Sequence, residues 1–155
     1  MGRRERAQEL LRKYASGERD FTSINLEGAC LREADLRGIV LNDAYLRGVN
    51  LERANLSDAS LRGAGLEKAS FQNADLSRAN LSNTLIRQAD LRGADLSDAN
   101  FSESCIIETD LREVNFSRTN LSQVEWSDID TSDAIFYETT MPDGRVRNLN
   151  YSNEE

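Results

Sequence analysis

Histidine is absent from this chain of 155 residues. That removes the Ser-His-Asp triad, the imidazole general base and every His–metal site. Cysteine occurs twice and proline once. No apolar run reaches the length of 18 or more residues that a bilayer-spanning helix needs. Basic residues are in deficit, with 19 Lys+Arg against 27 Asp+Glu and a formal net charge of -8. The pI is about 4.7 and the mean hydropathy is -0.59. This balance argues against a binder that tracks phosphates with a basic stripe, and against attraction to an anionic membrane surface. The opening MGRRERAQELLRKY lacks an apolar signal-peptide core, so the expected location is cytoplasmic. Arg6 stands where the myristoylation pattern needs Ser or Thr.

What the chain does have is a period of five. From Phe21 to Phe136 every fifth residue is large: of 24 positions, 15 are Leu and 5 are Phe, and only Thr131 is polar. Two residues earlier runs a column of small or β-branched residues such as Ala29, Val49, Ala69 and Ala89. Asp or Asn directly precedes the large residue in 14 of the 24 cases. Neither a helical period of 3.6 nor a strand period of 2 produces this pattern. Two inward positions flanking one outward residue read as a short strand. Counting that outward residue, three outward or turning residues per unit carry the chain round a corner, where Asp and Asn side chains bond nearby backbone groups. A chain that corners every five residues with its large side chain inside must wind into a solenoid.

The units ADLRG (34–38), ANLSD (54–58), ADLSR (74–78), ADLRG (89–93), ADLSD (94–98) and ANFSE (99–103) resemble those of the pentapeptide repeat family. The resemblance covers about residues 19 to 138 in one unbroken register. It implies an all-β solenoid, a right-handed quadrilateral parallel β-helix with four units per coil. The flanks YASGERDF (14–21) and TTMPDG (139–144) look like those of cyanobacterial members.

Four units per coil stack residues 20 apart, at about 4.8 Å. The charge columns fit that expectation independently. Glu27, Arg47, Glu67 and Arg87 alternate in sign, as do Asp58, Arg78, Asp98, Arg118 and Glu138. Arg32 falls over Glu52, and Glu33 over Arg53. Six coils make a shaft of about 29 Å. Its filled interior leaves no room for a cofactor or small-molecule substrate.

An open solenoid exposes a sheet edge at each end, and repeat arrays carry caps. Three parts are expected: a capping helix in 1–18, the repeats in 19–138, and a capping segment and tail in 139–155. Ala7, Leu10, Leu11 and Tyr14 lie at helical spacing for packing on the first coil, and Gly17 suits the helix stop. Arg3–Arg6 (RRER) is expected to be the solvated face of that helix. Pro142-Asp143-Gly144 is a turn signal, which makes 136–150 a hairpin or flap over the last coil.

The search for chemistry yields no catalytic, cofactor or metal residue. Cys30 and Cys105 fall on outward positions four coils apart, about 19 Å, too far for a disulfide. They are expected to be free thiols in a reducing compartment. Asp90, Asp110 and Asp130 stack on one side and Asp75 and Asp95 on another. On a convex shaft these read as corner residues bonding backbone amides. The LRG triplets (36–38, 46–48, 61–63, 91–93) fall at corners and make no phosphate loop.

Two surface features remain. Tyr45, Leu85, Cys105 and Ile107 form a candidate protein-contact patch, with a notch at Gly65. An acidic end comprises Glu125, Asp128, Asp130, Asp133 and Glu138. Counted in 20-residue segments from residue 19, net charge is -1, -1, +1, -1, -2 and -5. Some members of the resembled family imitate duplex DNA and bind type II topoisomerases such as gyrase. Such imitation needs acid along the whole length, whereas this shaft is near neutral for four segments. The expected role is therefore a non-enzymatic structural or protein-interaction module with an unidentified protein partner, as a monomer or weak dimer, without direct nucleic-acid or membrane binding. The alternative is DNA-mimicking modulation of gyrase.

Overall fold

Most five-residue units close on themselves through a β-turn. The N–H of the small inward residue donates to the carbonyl of the large one three residues back, as in Ala29 to Leu26 at 2.9 Å and Ala59 to Leu56 at 3.0 Å. The third residue of the turn is left-handed in every unit from 23 to 138, as a type II corner requires. Gly28, Gly38, Gly48, Gly63 and Gly93 fill five of these positions, and 19 non-glycine residues fill the others, with φ between 50° and 62°. Asp and Asn make the corner tolerable. Asn25 Oδ1 accepts the N–H of Glu27 at 3.0 Å, Asp75 that of Ser77 at 2.9 Å and Asn100 that of Ser102 at 2.9 Å.

The corners carry the chain into parallel register with itself. In the computed structural model, residues 1–148 are described. The last part of the expected 139–155 segment, residues 149–155, lies outside the described residues. Parallel bridges join residues 20 apart from Asp20↔Val40 to Asn120↔Thr140. Within them the Tyr45 N–H donates to the Ile24 carbonyl, and the Leu26 N–H to the Tyr45 carbonyl, both at 2.9 Å. On one side the ladder lengthens into strands β1 (Leu85–Arg87), β2 (Cys105–Ile107) and β3 (Glu125–Ser127), paired in parallel in that order.

Of the 24 large-residue positions, all but Trp126 and Thr131 are buried. The small column lies beside them. Three of its hydroxyls donate to carbonyls one circuit below, Ser104 to Leu81 at 2.7 Å, Thr119 to Leu96 at 2.7 Å and Thr139 to Phe116 at 2.5 Å, while Thr84 donates within its own turn to Leu81 at 2.7 Å. Burial of a hydroxyl is tolerable only when it is bonded in this way.

Helix α1 (Arg3–Ala15) lies across the start of the shaft. Ala7 and Leu10 are buried in the continuous core, and the Tyr14 hydroxyl donates to the Arg37 carbonyl at 2.7 Å. Leu11, expected on the packed face, is instead 38% exposed, because the helix turns it away from the shaft by one residue step. The RRER segment is not simply solvated. The Arg6 guanidinium donates to the Glu27 carbonyl at 3.0 Å, and Arg3 lies against Gly28. Gly17 follows the helix with φ 104°.

Near the other end β4 (Thr139–Thr140) pairs antiparallel with β5 (Val146–Arg147). The Gly144 N–H closes the turn on the Met141 carbonyl at 2.9 Å. The Arg147 guanidinium sits 4.4 Å above the Phe136 ring.

Candidate functional site

β1, β2 and β3 position the apolar patch. Their alternation points Ile86 and Ile106 inward, where both are buried, and leaves the residues on either side of each facing out. Leu85 pairs with Cys105 in register, and Ile107 lies between Arg87 and Ser127. Leu85 is 40% exposed and Tyr45 57%; Cys105 and Ile107 are half-buried. Gly65 bridges both Tyr45 and Leu85 and puts no side chain between them. The structure thus brings Leu85, Cys105 and Ile107 together and sets Tyr45 two steps below, across an open groove. The border is polar: Arg87 approaches Glu108 at 3.6 Å, and Gln88 donates to Glu108 at 2.7 Å. Cys30 is exposed on the next side, and both thiols are free.

The acidic residues spread over several corners rather than forming one cluster. Glu125, Asp128, Asp130, Asp133 and Glu138 are all exposed. Asp130 is the best bonded of them: the Ser132 hydroxyl donates to it at 2.5 Å and its N–H at 2.9 Å, which holds the carboxyl below its ordinary range. Asp128, Asp133 and Glu138 occupy left-handed corners.

The stacked aspartates are interleaved with arginine. Arg92 holds Asp90 at 2.6 Å and reaches Asp110 at 3.5 Å, while Arg112 holds Asp110 at 2.6 Å and reaches Asp130 at 3.8 Å. The Arg112 fork lowers the pKa of Asp110. No group of three or more Cys, Asp or Glu side chains converges for a metal ion among the described residues. The signal for this ladder was the repeated Asp-Leu-Arg, which places the cation two residues after the acid on the same side.

The alternating charge columns behave unequally. Arg78 grips Asp58 at 2.9 Å, Arg118 grips Asp98 at 2.8 Å, Arg32 meets Glu52 at 3.2 Å and Arg53 meets Glu33 at 3.5 Å. In the column Glu27, Arg47, Glu67 and Arg87, however, no ion pair forms, and Arg87 turns to Glu108 instead. At Arg78 and Arg118 the two-armed fork is committed to one carboxylate, so alternation in their column becomes doublets, unlike the continuous ladder of Arg92 and Arg112.

Two exposed apolar residues on the last circuit escaped the sequence reading. Ile135 is 37% exposed and Tyr137 43%. Their signal was present, since they replace the Asp/Asn and Ser that recur on that side at 75 and 77 or 115 and 117.

This geometry defines a class, the parallel β-helical solenoid with a filled interior and functional groups only on its outer faces. The family model for pentapeptide repeats, a run of eight copies, matches three overlapping stretches, residues 20–58, 39–78 and 74–113. The chain belongs to the pentapeptide repeat family, whose members are right-handed quadrilateral β-helices. Among solved structures it is similar to a pentapeptide repeat protein, Rfr23, from the cyanobacterium Cyanothece 51142. That match has a TM-score of 0.76 and 23% identity, over 81% of this chain and 99% of that one. It is also similar to a trypsin-treated form of QnrB1, a plasmid-mediated fluoroquinolone resistance protein, with a TM-score of 0.59 and 23% identity over 80% of this chain and 66% of QnrB1. No curated protein matches it.

Proposed function

We propose that the protein is a non-enzymatic structural and protein-interaction module. Its shaft is six coils from residue 19 to 138, with the hairpin at 139–147 as a flap over the last coil. The observation that carries this reading is the patch of Leu85, Cys105 and Ile107. It lies on the side where the ladder lengthens into strands, ringed by Arg87, Glu108 and Glu125. Apolar side chains in a polar rim are the anatomy of a protein-contact surface. The partner is a protein, and the compartment is cytoplasmic.

Gyrase modulation by DNA imitation is the competing reading. It is disfavoured because the shaft's carboxylates are locally neutralised, by Arg78, Arg92, Arg112 and Arg118 among others. The acidic excess is concentrated in the last segment, at -5.

The test is capture of proteins from the native host by the wild type and by a Leu85→Glu/Ile107→Glu variant. The reading expects a partner retained by the wild type and lost by the variant, with a control substitution at Arg62 leaving it in place. Identical capture by all three proteins overturns the patch. A gyrase supercoiling assay run beside it separates the classes: inhibition or protection at low micromolar protein favours imitation.

A further inference from the structure

Where α1 meets the first circuit, four cations line one groove of about 460 Å³: Arg3 and Arg6 from the helix end, Arg47 and Lys68 from the shaft. Glu27 is the one carboxylate in the lining. None of these four cations has an ion-pair partner among the described residues, whereas Arg32, Arg53, Arg78 and Arg118 on other sides each hold one.

The groove exists because of the corner column it runs along. Residues 28, 48 and 68 stack in register, and two of them are glycine, with φ 64° at both Gly28 and Gly48. A Cβ at Gly48 would come within 4.0 Å of the Gly28 Cα, and one at Gly28 would press into the Arg3 guanidinium at 2.7 Å. The missing side chains leave a floor of bare backbone and let Arg3 lie flat on it. Arg6 supplies an independent sign. One arm of its guanidinium donates to the Glu27 carbonyl at 3.0 Å, while its Nε is buried with no acceptor. A charged donor kept from water without an acceptor is destabilising, so the hydrogen bonding of this guanidinium is incomplete.

We infer that this groove binds a phosphate-type oxyanion, free or as a phosphomonoester. Four unpaired cations around a small concave site repel one another, and an oxyanion relieves that repulsion. A tetrahedral group with several acceptor oxygens suits arginine forks and a lysine point charge together. The floor amides are already used, Gly28 N–H on the Arg47 carbonyl and Gly48 N–H on the Glu67 carbonyl, both at 2.8 Å. Recognition therefore falls on the side chains. One anionic group fits and a polyphosphate chain does not, because the same side carries Glu108, Glu125 and Asp128 further along. This site is separate from the apolar patch and does not depend on the interaction reading.

The test is titration of the full chain in low-chloride buffer with inorganic phosphate and, in parallel, with phosphoserine, read by phosphorus NMR. Saturable binding below about 10 mM is expected. Arg47→Ala and Lys68→Ala are each expected to weaken it about tenfold. Arg62→Ala, an unpaired arginine on another corner, should leave it unchanged. Thermal unfolding of each variant checks that the fold is intact. Tighter binding of phosphoserine assigns the ester as the natural source, and tighter binding of phosphate assigns the free ion; both uphold the site. Absence of saturation, or an Arg62→Ala loss equal to that of Arg47→Ala, overturns it.

Discussion

The rings of Phe116 and Phe136 stack with centroids 5.1 Å apart and planes inclined by 14°. They are 20 residues apart in sequence and neighbours in space, so the spacing of the ladder is repeated inside the core. Arg147 covers the outer ring, which makes this stack the junction between the shaft and the hairpin near its end.

Phe116→Ala is therefore expected to destabilise the fold by about 3–5 kcal/mol, through lost burial and the cavity left behind. Phe116→Leu, which restores the residue used at most equivalent positions, is expected to cost less than about 1.5 kcal/mol. Urea unfolding followed by circular dichroism measures both. Equal losses for Ala and Leu would refute the stacked-core account.

Thr84 and Ser104 share a buried hydrogen-bond network. Their hydroxyls are 3.0 Å apart, both donate to the Leu81 carbonyl, and the Thr84 N–H donates to the Ser104 Oγ at 3.2 Å. Ser104→Ala strands the Thr84 N–H and should cost about 1–3 kcal/mol. In the Thr84→Ala/Ser104→Ala variant the site can adopt the plain turn seen one circuit below, where the Ala64 N–H donates to the Leu61 carbonyl at 3.1 Å. The double variant is thus expected to lose less than the sum of the singles. A double-mutant cycle with no coupling would contradict this.

The corners predict substitutions of opposite sign. Gly93 has φ 67°, and an added Cβ would collide with the Asn73 side chain of the circuit below. Gly93→Ala is expected to destabilise by at least about 1–2 kcal/mol. Glu113 is exposed with φ 60°. Glu113→Gly removes left-handed strain at some cost in chain entropy, for a net gain of a few tenths of a kcal/mol, about 0.5. Thermal melts of the two variants should move in opposite directions.

Acid sensitivity follows from the paired aspartates. Asp58, Asp98, Asp110 and Asp130 all have pKa values below their ordinary range, the first three chiefly through bonds from Arg78, Arg118 and Arg112. Because the folded value is the lower one, these groups favour folding fully above the unfolded value of about 3.9, and that contribution disappears as pH falls through the folded values. Stability is expected to change little between about pH 5 and 7, where no side chain present ordinarily titrates, and to drop below about pH 4. Asp110→Asn should lower stability at neutral pH yet leave it unchanged near pH 2. A steep slope around pH 6 would contradict the assignment.

Much of the shaft was legible because its rule is local. Leu66 and Leu76 are buried for the same reason as their neighbours, and Asn25 or Asp75 announces a corner by its side-chain chemistry. The left-handed corners were hidden. Their usual marks are glycine and asparagine, yet Glu33, Lys68 and Arg118 adopt the conformation too, because the ladder on both sides over-determines them. The patch at Leu85, Cys105 and Ile107 could be placed on one side by counting, but the extent to which each stands free of its neighbours could not.

What the amino-acid order determined alone was the apolar spine, since a five-residue period without a single slip keeps every fifth side chain inside, and the 20-residue circuit was supported by charge columns that alternate in sign at that spacing. The meeting of distant groups was decided by the closed structure. Arg6 and Lys68 reach one groove only after the helix docks and three circuits stack. Arg47 and Glu67, adjacent in the same column, stay apart because the geometry of each corner, not the sign of the charge, aims the side chain.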